Sequence, residues 1–454
     1  MRRFFFKKNK TLIFLLSILT AISSIIYSFY YIDKDLFLFN ELLKINPISV
    51  TFSIIILIAI ILTLFSSKSY LESEGVNFGE YYLMILFATL GMLLMVFAND
   101  LIIIFAGLEL MSICFYVLAG FMRKKKKSNE SALKYFLLGA FMTGFLLYGM
   151  SIIFGTTGTT KLSAIPGIAG IFKNPVFLIG IILFIIGFLF KIGIFPFQMW
   201  IPDVYEGAPT IVSGMMSTAG KIAAVGTIAP IIITFNLVDF KLLFAILAVL
   251  TMLFGNVIAL AQTNVKRLLA YSSIASAGYI LVGISSLDEM AIKGIAFYLI
   301  AYVFMQLGSF ILVAVLETNE TDKTGDNNLN LDYFKGLAKR NPMLGIFFTI
   351  FLFSLAGIPP FAGFWGKYYI FYAAIKSNLI WLSIIAILLS LVSLFYYLKI
   401  IVYMWFNDSI NIEKEGNKIN TLPSKISLVL CIAGILVLGI YPQLFFSIFN
   451  LVIK

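Results

Sequence analysis

The sequence predicts an all-α polytopic membrane protein of about thirteen transmembrane helices, arranged as two inverted five-helix repeats with broken helices. Three observations carry this. Hydrophobic residues make up 61% and charged residues 12% of the 454 positions, with a mean hydropathy of +1.01, against about half and about a quarter in soluble domains. Apolar runs of about 20 residues, the length that crosses hydrocarbon, recur along the whole chain with no soluble domain between them. Lys and Arg crowd into alternate connecting segments, as they do in a chain that threads a membrane repeatedly.

The first span is placed at 11–31. The basic segment 1–10 before it has the look of a signal peptide, but the apolar run is too long for a signal core and lacks a small-residue cleavage site, so a retained helix is expected. Further spans follow at 48–66, 81–98, 101–121, 132–154, 176–198, 209–235, 241–261, 268–286 and 291–316. The eleventh, 342–375, is too long for one straight helix and contains Ile358-Pro359-Pro360-Phe361, which predicts two half-helices around a break. Spans at 379–406 and 424–447 complete the set. The longest polar stretch, Glu317 to Arg340, is expected as a loop.

With the N-terminus inside, the inner segments hold 20 of the 33 Lys and Arg and the outer ones 7, the other 6 lying within spans. Led by Arg123-Lys124-Lys125-Lys126-Lys127, this bias puts the N-terminus in the cytoplasm and the C-terminus outside. The net charge of +11 is thus topological. No nucleic-acid partner is expected, because the basic residues are spread over separate loops without an accompanying motif.

The residue inventory excludes several chemistries. The chain has no histidine, and its two cysteines, Cys114 and Cys431, stand alone in apolar helices, so no iron–sulfur cluster, haem or structural zinc is expected in this chain. It has no Gly-rich phosphate loop. The driving energy is expected from an ion gradient or from partner subunits.

Within the apolar spans, charge is confined to a few places. Glu109 is the only one of 22 acidic residues predicted deep inside a span, and Lys191, Lys221 and Lys367 have similarly apolar surroundings. Four unrelieved mid-membrane charges would cost roughly 10–14 kcal/mol, comparable to the net stability of a domain. One carboxylate cannot neutralise three ammonium groups, so some of these lysines must lose their protons or find water. Such groups are the material of a proton pathway.

Two stripes at helical spacing accompany them. Ala106, Glu109, Ser112 and Tyr116 should face the bundle, and Thr210, Ser213 and Ser217 should line one face leading to Lys221, where their hydroxyls could hold a water file. Helix packing is the plainer reading of such hydroxyls in lipid. Lys191 and Lys367 each lie beside a break, and Gly193-Ile194-Phe195-Pro196-Phe197 echoes Gly357-Ile358-Pro359-Pro360-Phe361. Repeats with broken helices at the midplane are the architecture of ion-translocating transporters.

Several segments carry a family resemblance: Gly107-Leu108-Glu109-Leu110-Met111-Ser112, Ala132-Leu133-Lys134-Tyr135, Phe190-Lys191-Ile192-Gly193, the run from Pro196 to Thr210 with Asp203-Val204-Tyr205-Glu206-Gly207-Ala208-Pro209, the run from Gln262 to Ile274, and Ser354-Leu355-Ala356-Gly357-Ile358-Pro359-Pro360. From about residue 80 onward the chain resembles the subunit N family of the proton-pumping NADH–quinone oxidoreductase, respiratory complex I. The Asp203 to Pro209 segment favours N over its sisters L and M.

The resemblance implies N-terminal helices over 1–80, antiporter-like repeats over 81–235 and 236–406, and a C-terminal helix within 407–454. It also implies a role for each buried charge: Glu109 as the helix carboxylate, Lys191 as the lysine of the first broken helix, Lys221 as the central lysine, Lys367 as the lysine of the second broken helix, and Lys134 as a further pathway lysine. Without the resemblance, Lys134 reads as a side chain snorkelling to the interface. Gln198 and Ser276 stand where the family often has histidine, so water or another course must carry the proton there. Many bacterial relatives also have a first helix that this chain does not show.

The mechanism expected is charge coupling. Glu109 holds Lys191 as the ammonium, neighbouring subunits weaken the pair, and the proton passes to Lys221 and on to Lys367, which exchanges with the outer side. NADH, flavin, iron–sulfur clusters and quinone are expected in partner subunits, the partners being the other complex I subunits, the bilayer and protons, and the location the bacterial inner membrane. The alternatives are a subunit of a multi-subunit sodium/proton antiporter and a non-catalytic scaffold.

Overall fold

A computed structural model describes residues 10–317, 329–408 and 422–449. Twelve helices among them are long and apolar enough to cross a membrane. They are α1 (Lys10–Phe29), α2 (Pro47–Ser73), α3 (Gly79–Phe97), α4 (Leu101–Ala119), α5 (Lys126–Thr157), α6 (Pro175–Ile192), α8 (Thr210–Thr234), α9 (Val238–Leu260), α10 (Val265–Ser285), α11 (Glu289–Glu317), α14 (Ile380–Trp405) and α15 (Leu422–Ile440), while the short α7 (Trp200–Gly207) follows α6. The remaining span is the interrupted one, α12 (Pro342–Ala356) and α13 (Ala362–Lys376). Thirteen spans result, and the eleventh is split where Ile358-Pro359-Pro360-Phe361 predicts. Among the described residues the named strands form one short hairpin, in which Leu36–Leu38 pairs antiparallel with Leu43–Ile45.

Local sequence explains the helix starts. Asn46 caps α2 in a reciprocal box with Ser49, and Pro47 takes a first-turn position where no N–H is needed. Asp100, Asn174, Asn264, Asp288 and Asn341 cap α4, α6, α10, α11 and α12 by accepting a backbone N–H of the first turn.

Burial sorts the helices into a centre and a rim. The apolar window of α10 is 94% buried and that of α1 only 22%, so α10 belongs to the core and α1 to its lipid-facing edge. α8 and α11 join α10 in the centre, and α5 and α14 join α1 at the rim, where Phe141, Leu391 and Phe395 point outward. With lipid outside there is no hydrophobic drive between helices, and close backbone approach takes its place. At the crossing of α3 and α4 a Cβ built on Gly91 would stand 2.5 Å from the Gly107 carbonyl oxygen, so only glycine fits.

Two expectations need correction. Glu317 is not in a loop: it is the last residue of α11 and is 4% exposed, and parts of the stretch behind it are also ordered, Leu331–Phe334 as a 3-10 turn and Leu337–Arg340 as a helical turn. Ala106 does not face the bundle but is exposed, because a four-residue stripe drifts round the helix. The hydroxyls of the Thr210, Ser213, Ser217 stripe all donate within the protein. Thr210 donates to Glu317, Ser213 to the Tyr205 carbonyl at 2.7 Å and Ser217 to the Gly214 carbonyl at 2.8 Å. A π-turn at Met216–Gly220 then shifts the register just before Lys221.

Candidate functional site

The two predicted breaks have one backbone. α6 ends at Gly193 (φ 87°) and α12 at Gly357 (φ 84°), in the left-handed region that favours glycine. The amides of Gly193 and Ile194 both donate to Leu189, and those of Gly357 and Ile358 both donate to Phe353, closing each helix end in the same way. The Gly-Ile-x-Pro-Phe echo is therefore a repeated turn, and in both copies the proline peptide bond is cis.

Lys191 lies in the last turn of α6 and is 7% exposed. Its ammonium donates to the Tyr116 hydroxyl at 3.4 Å and sits 5.4, 5.2 and 5.6 Å from the ring centres of Tyr116, Tyr135 and Phe190. Aromatic faces attract a cation within about 6 Å. Glu109, two turns before Tyr116 on α4, is half-buried and accepts a hydrogen bond from Thr143 Oγ1 at 2.8 Å. Among the described residues no ion pair joins Glu109 to Lys191: the carboxylate is bonded to Thr143 and the ammonium to Tyr116.

Lys221, 1% exposed, donates to the carbonyl oxygen of Ser273 at 2.6 Å and to its hydroxyl at 2.7 Å, and lies 5.6 Å from the Tyr302 ring centre. It follows the π-turn of α8. Tyr302 immediately precedes a second π-turn, Val303–Leu307 in α11, and the two π-turns touch. Such turns replace i→i−4 bonding by i→i−5 and cluster at functional sites.

Lys367, 5% exposed, donates to the Ala356 carbonyl at 3.0 Å and to Ser390 Oγ at 2.8 Å, with its ammonium 4.9 Å from the Tyr279 ring centre. The three predicted lysines are thus all buried, and among the described residues none forms an ion pair.

Lys134 differs. α5 begins at Lys126 and not at 132, so Lys134 stands more than two turns into its helix, yet its side chain remains 42% exposed. It bonds Glu130 at 2.7 Å and Asp203 at 2.8 Å. Arg267 binds the same Asp203 at 2.8 Å and Glu206 at 3.0 Å, so an open charged cleft ties α7 to both α5 and α10. Burial pushes the Asp203 carboxyl up, but the hydrogen bonds from Lys134 and Arg267 outweigh it and hold the group below the ordinary carboxylate range.

Sequence reasoning missed a buried charge pair. Lys266 Nζ is 3.7 Å from Glu317, both about 5% exposed, and also donates to the Ala208 carbonyl at 3.1 Å. Glu317 accepts from Thr210 and, at 3.2 Å, from the Tyr70 hydroxyl. The available signal was an acidic residue directly continuing the apolar helix Gly308–Leu316.

A family model described as NADH:quinone oxidoreductase/Mrp antiporter, TM, matches residues 98–393. The chain is 46% identical over 413 residues to NADH-quinone oxidoreductase subunit N of Trichlorobacter lovleyi, covering 89% of this chain and 83% of that one. It is 39% identical to F(420)H(2) dehydrogenase subunit N of Methanosarcina mazei, over 90% of this chain and 84% of that one. Among solved structures, a chain of respiratory complex I from Thermus thermophilus with bound aureothin superposes with a TM-score of 0.81 at 29% identity, covering 96% of this chain and 93% of that one. Motifs, breaks, buried lysines and these likenesses agree: the chain belongs to the NADH–quinone oxidoreductase subunit N family of antiporter-like membrane proteins.

Proposed function

We propose that this chain is a proton-translocating membrane-arm subunit of an NADH–quinone oxidoreductase, in which partner subunits hold NADH, flavin, iron–sulfur clusters and quinone. The observation that carries this is the set Lys191, Lys221 and Lys367: three ammonium-bearing side chains buried in the helix bundle without a carboxylate partner among the described residues. At roughly 2.5–3.5 kcal/mol for each mid-membrane charge, such groups are costly unless they exchange protons.

The sequence of events begins at Glu109. When partner subunits draw Glu109 and Lys191 together the ammonium is favoured, and when they separate, Lys191 is left among aromatic rings and gives its proton to Lys221. Lys221 passes it towards Lys367, which exchanges with the outer side, while Lys134 belongs to the charged cleft at the inner side. Moving one charge against 100 mV takes about 2.3 kcal/mol, within the reach of one buried pair made or broken. The turn repeated at Gly193 and Gly357 supports two five-helix repeats, 81–235 and 236–406, between N-terminal helices (1–80) and a C-terminal helix (407–454). In a bacterial inner membrane the charge bias supports an N-terminus in the cytoplasm, and thiol labelling of Lys124→Cys from the cytoplasmic side alone is the expected result. The names of the relatives weigh against a sodium/proton antiporter subunit.

The test is Lys221→Met against Lys221→Arg in membrane vesicles. Methionine keeps length and apolar stem but binds no proton, and arginine keeps charge but does not readily release one. Both should assemble and both should lose pumping. Normal pumping with normal assembly in Lys221→Met would turn the lysines into scaffold.

A further inference from the structure

We propose that Thr143 and Tyr116 are positioning residues that hold Glu109 and Lys191 apart, so that the separated arrangement of this pair is a bonded state with partners of its own. This rests on the reading of the pair as the first step of the relay.

Thr143 departs from the habit of threonine in this bundle. A mid-helix hydroxyl usually donates to the carbonyl four residues back, as Thr63 does to Ala59, Thr89 to Ile85 and Thr227 to Ala223, each at 2.8 Å. Thr143, in the middle of α5, instead donates across to Glu109 on α4 at the same 2.8 Å. Ser112, the hydroxyl three residues from Glu109 on α4, is spent on the Leu108 carbonyl of its own helix. A carboxylate half-buried in a membrane bundle needs a donor. Thr143 supplies it.

The seat of Tyr116 is equally specific. Its ring meets Tyr135 edge-on at 4.8 Å with the planes 88° apart, and Tyr135 is itself stacked on Trp200. A Cβ built on Gly139 of α5 would collide with the Tyr116 hydroxyl oxygen, so that oxygen occupies space which any larger residue would fill. There it accepts the Lys191 ammonium. Tyr135, Gly139 and Thr143 recur every four residues on α5, and Glu109 and Tyr116 stand seven apart on α4. One face of each helix therefore carries the arrangement.

The hydroxyls compete with the ion pair. Both hydroxyl bonds are made and the ion pair is not, so forming the pair moves at least one charge off its hydroxyl. A hydrogen bond to a charged group shifts an equilibrium by about tenfold or more, and one stretched to 3.4 Å shifts it less. Thr143 is thus the stronger holder. With the holders removed the pair persists, and Lys191 keeps its proton.

The experiment measures, in membrane vesicles of the assembled complex, proton pumping and the infrared difference spectrum between oxidised and reduced enzyme. The carboxylate band missing in Glu109→Gln belongs to Glu109. Thr143→Val keeps the branched shape and removes the hydroxyl, so pumping should fall about tenfold at native complex levels, and the Glu109 band should shift as the carboxylate exchanges a hydroxyl for an ammonium. Tyr116→Phe should lower pumping about threefold and shift the same band, although its hydroxyl bonds Lys191 and not Glu109. Thr143→Ser, which restores a hydroxyl, should return both readouts to wild type, and Thr89→Val, whose hydroxyl stays within its own helix, should move neither. Should Tyr116→Phe not assemble, Thr143→Val beside Thr143→Ser carries the test alone. Pumping within about twofold of wild type in Thr143→Val, or a loss of pumping with the Glu109 band in place, overturns the holding role while Lys191→Met still abolishes pumping. Normal pumping in Lys191→Met removes the relay reading as well.

Discussion

At the first break, the Phe190 carbonyl, left without its helical donor, accepts the indole N–H of Trp200 at 3.0 Å. At the second, the Ala356 carbonyl accepts the Lys367 ammonium at 3.0 Å. The turns between are the same, but the carbonyl covered at the first lies three residues before its glycine and takes a neutral ring, whereas the one covered at the second lies directly before its glycine and takes a charge. Lys191 is therefore spared from capping and is held by aromatic faces and one hydroxyl, while Lys367 serves the backbone as well as any proton. A repeated turn fixes where a helix stops, and the offset of the charged residue decides what that charge is engaged with. Asp203 stands ten residues after Gly193, where Lys367 stands ten after Gly357, so one offset carries opposite charges in the two halves.

The sharpest way to break this contrast is to replace each lysine. Lys191→Met should abolish pumping with the complex at full level, since it removes a buried charge and no cap. Lys367→Met should abolish pumping and also destabilise the second break by about 1–3 kcal/mol, the cost of leaving a buried acceptor unsatisfied. Thermal unfolding of the purified complexes, read beside pumping, separates the two, and equal stability in both variants would void the distinction.

Trp200→Phe is the counterpart at the first break. It keeps an aromatic ring beside Tyr135, with which Trp200 stacks at 4.4 Å, but removes the donor to Phe190. A stability loss of the same order, about 1–3 kcal/mol, is expected, with pumping reduced and not abolished because Lys191 remains.

The smallest effect is expected at Asp203, on α7 just behind the first break. Its folded-state carboxyl is held below the ordinary value of 3.8, so its ion pairs contribute stability that is fully present above the ordinary carboxylate range and is lost as pH falls through the lowered value. A melting series from pH 7 down to about pH 1 should show this loss. In Asp203→Asn that portion of the acid dependence should vanish, and an unchanged acid limb would remove Asp203 from the account.

Length and apolarity made the thirteen spans legible in the sequence, and proline beside glycine made both breaks so. The buried lysines were legible because nothing polar surrounds them in sequence. What remained hidden was whatever depends on a residue's position across space. The cap from Trp200 joins residues on opposite sides of a turn. The π-turns at Met216–Gly220 and Val303–Leu307 add one residue to a turn, which a 3.6-residue pattern averages away. Glu317 escaped notice because a charge at the end of an apolar run normally reaches water, and only the tertiary contacts of Lys266, Tyr70 and Thr210 show that it does not.

That last pair constrains how this chain can change over generations. Removing one partner of a buried ion pair costs about 3–5 kcal/mol, whereas replacing both by apolar residues of similar volume is often neutral or better. Positions 266 and 317 lie in different helices but are tied together: changing either alone strands a buried charge, and changing both leaves the Tyr70 and Thr210 hydroxyls in need of another acceptor.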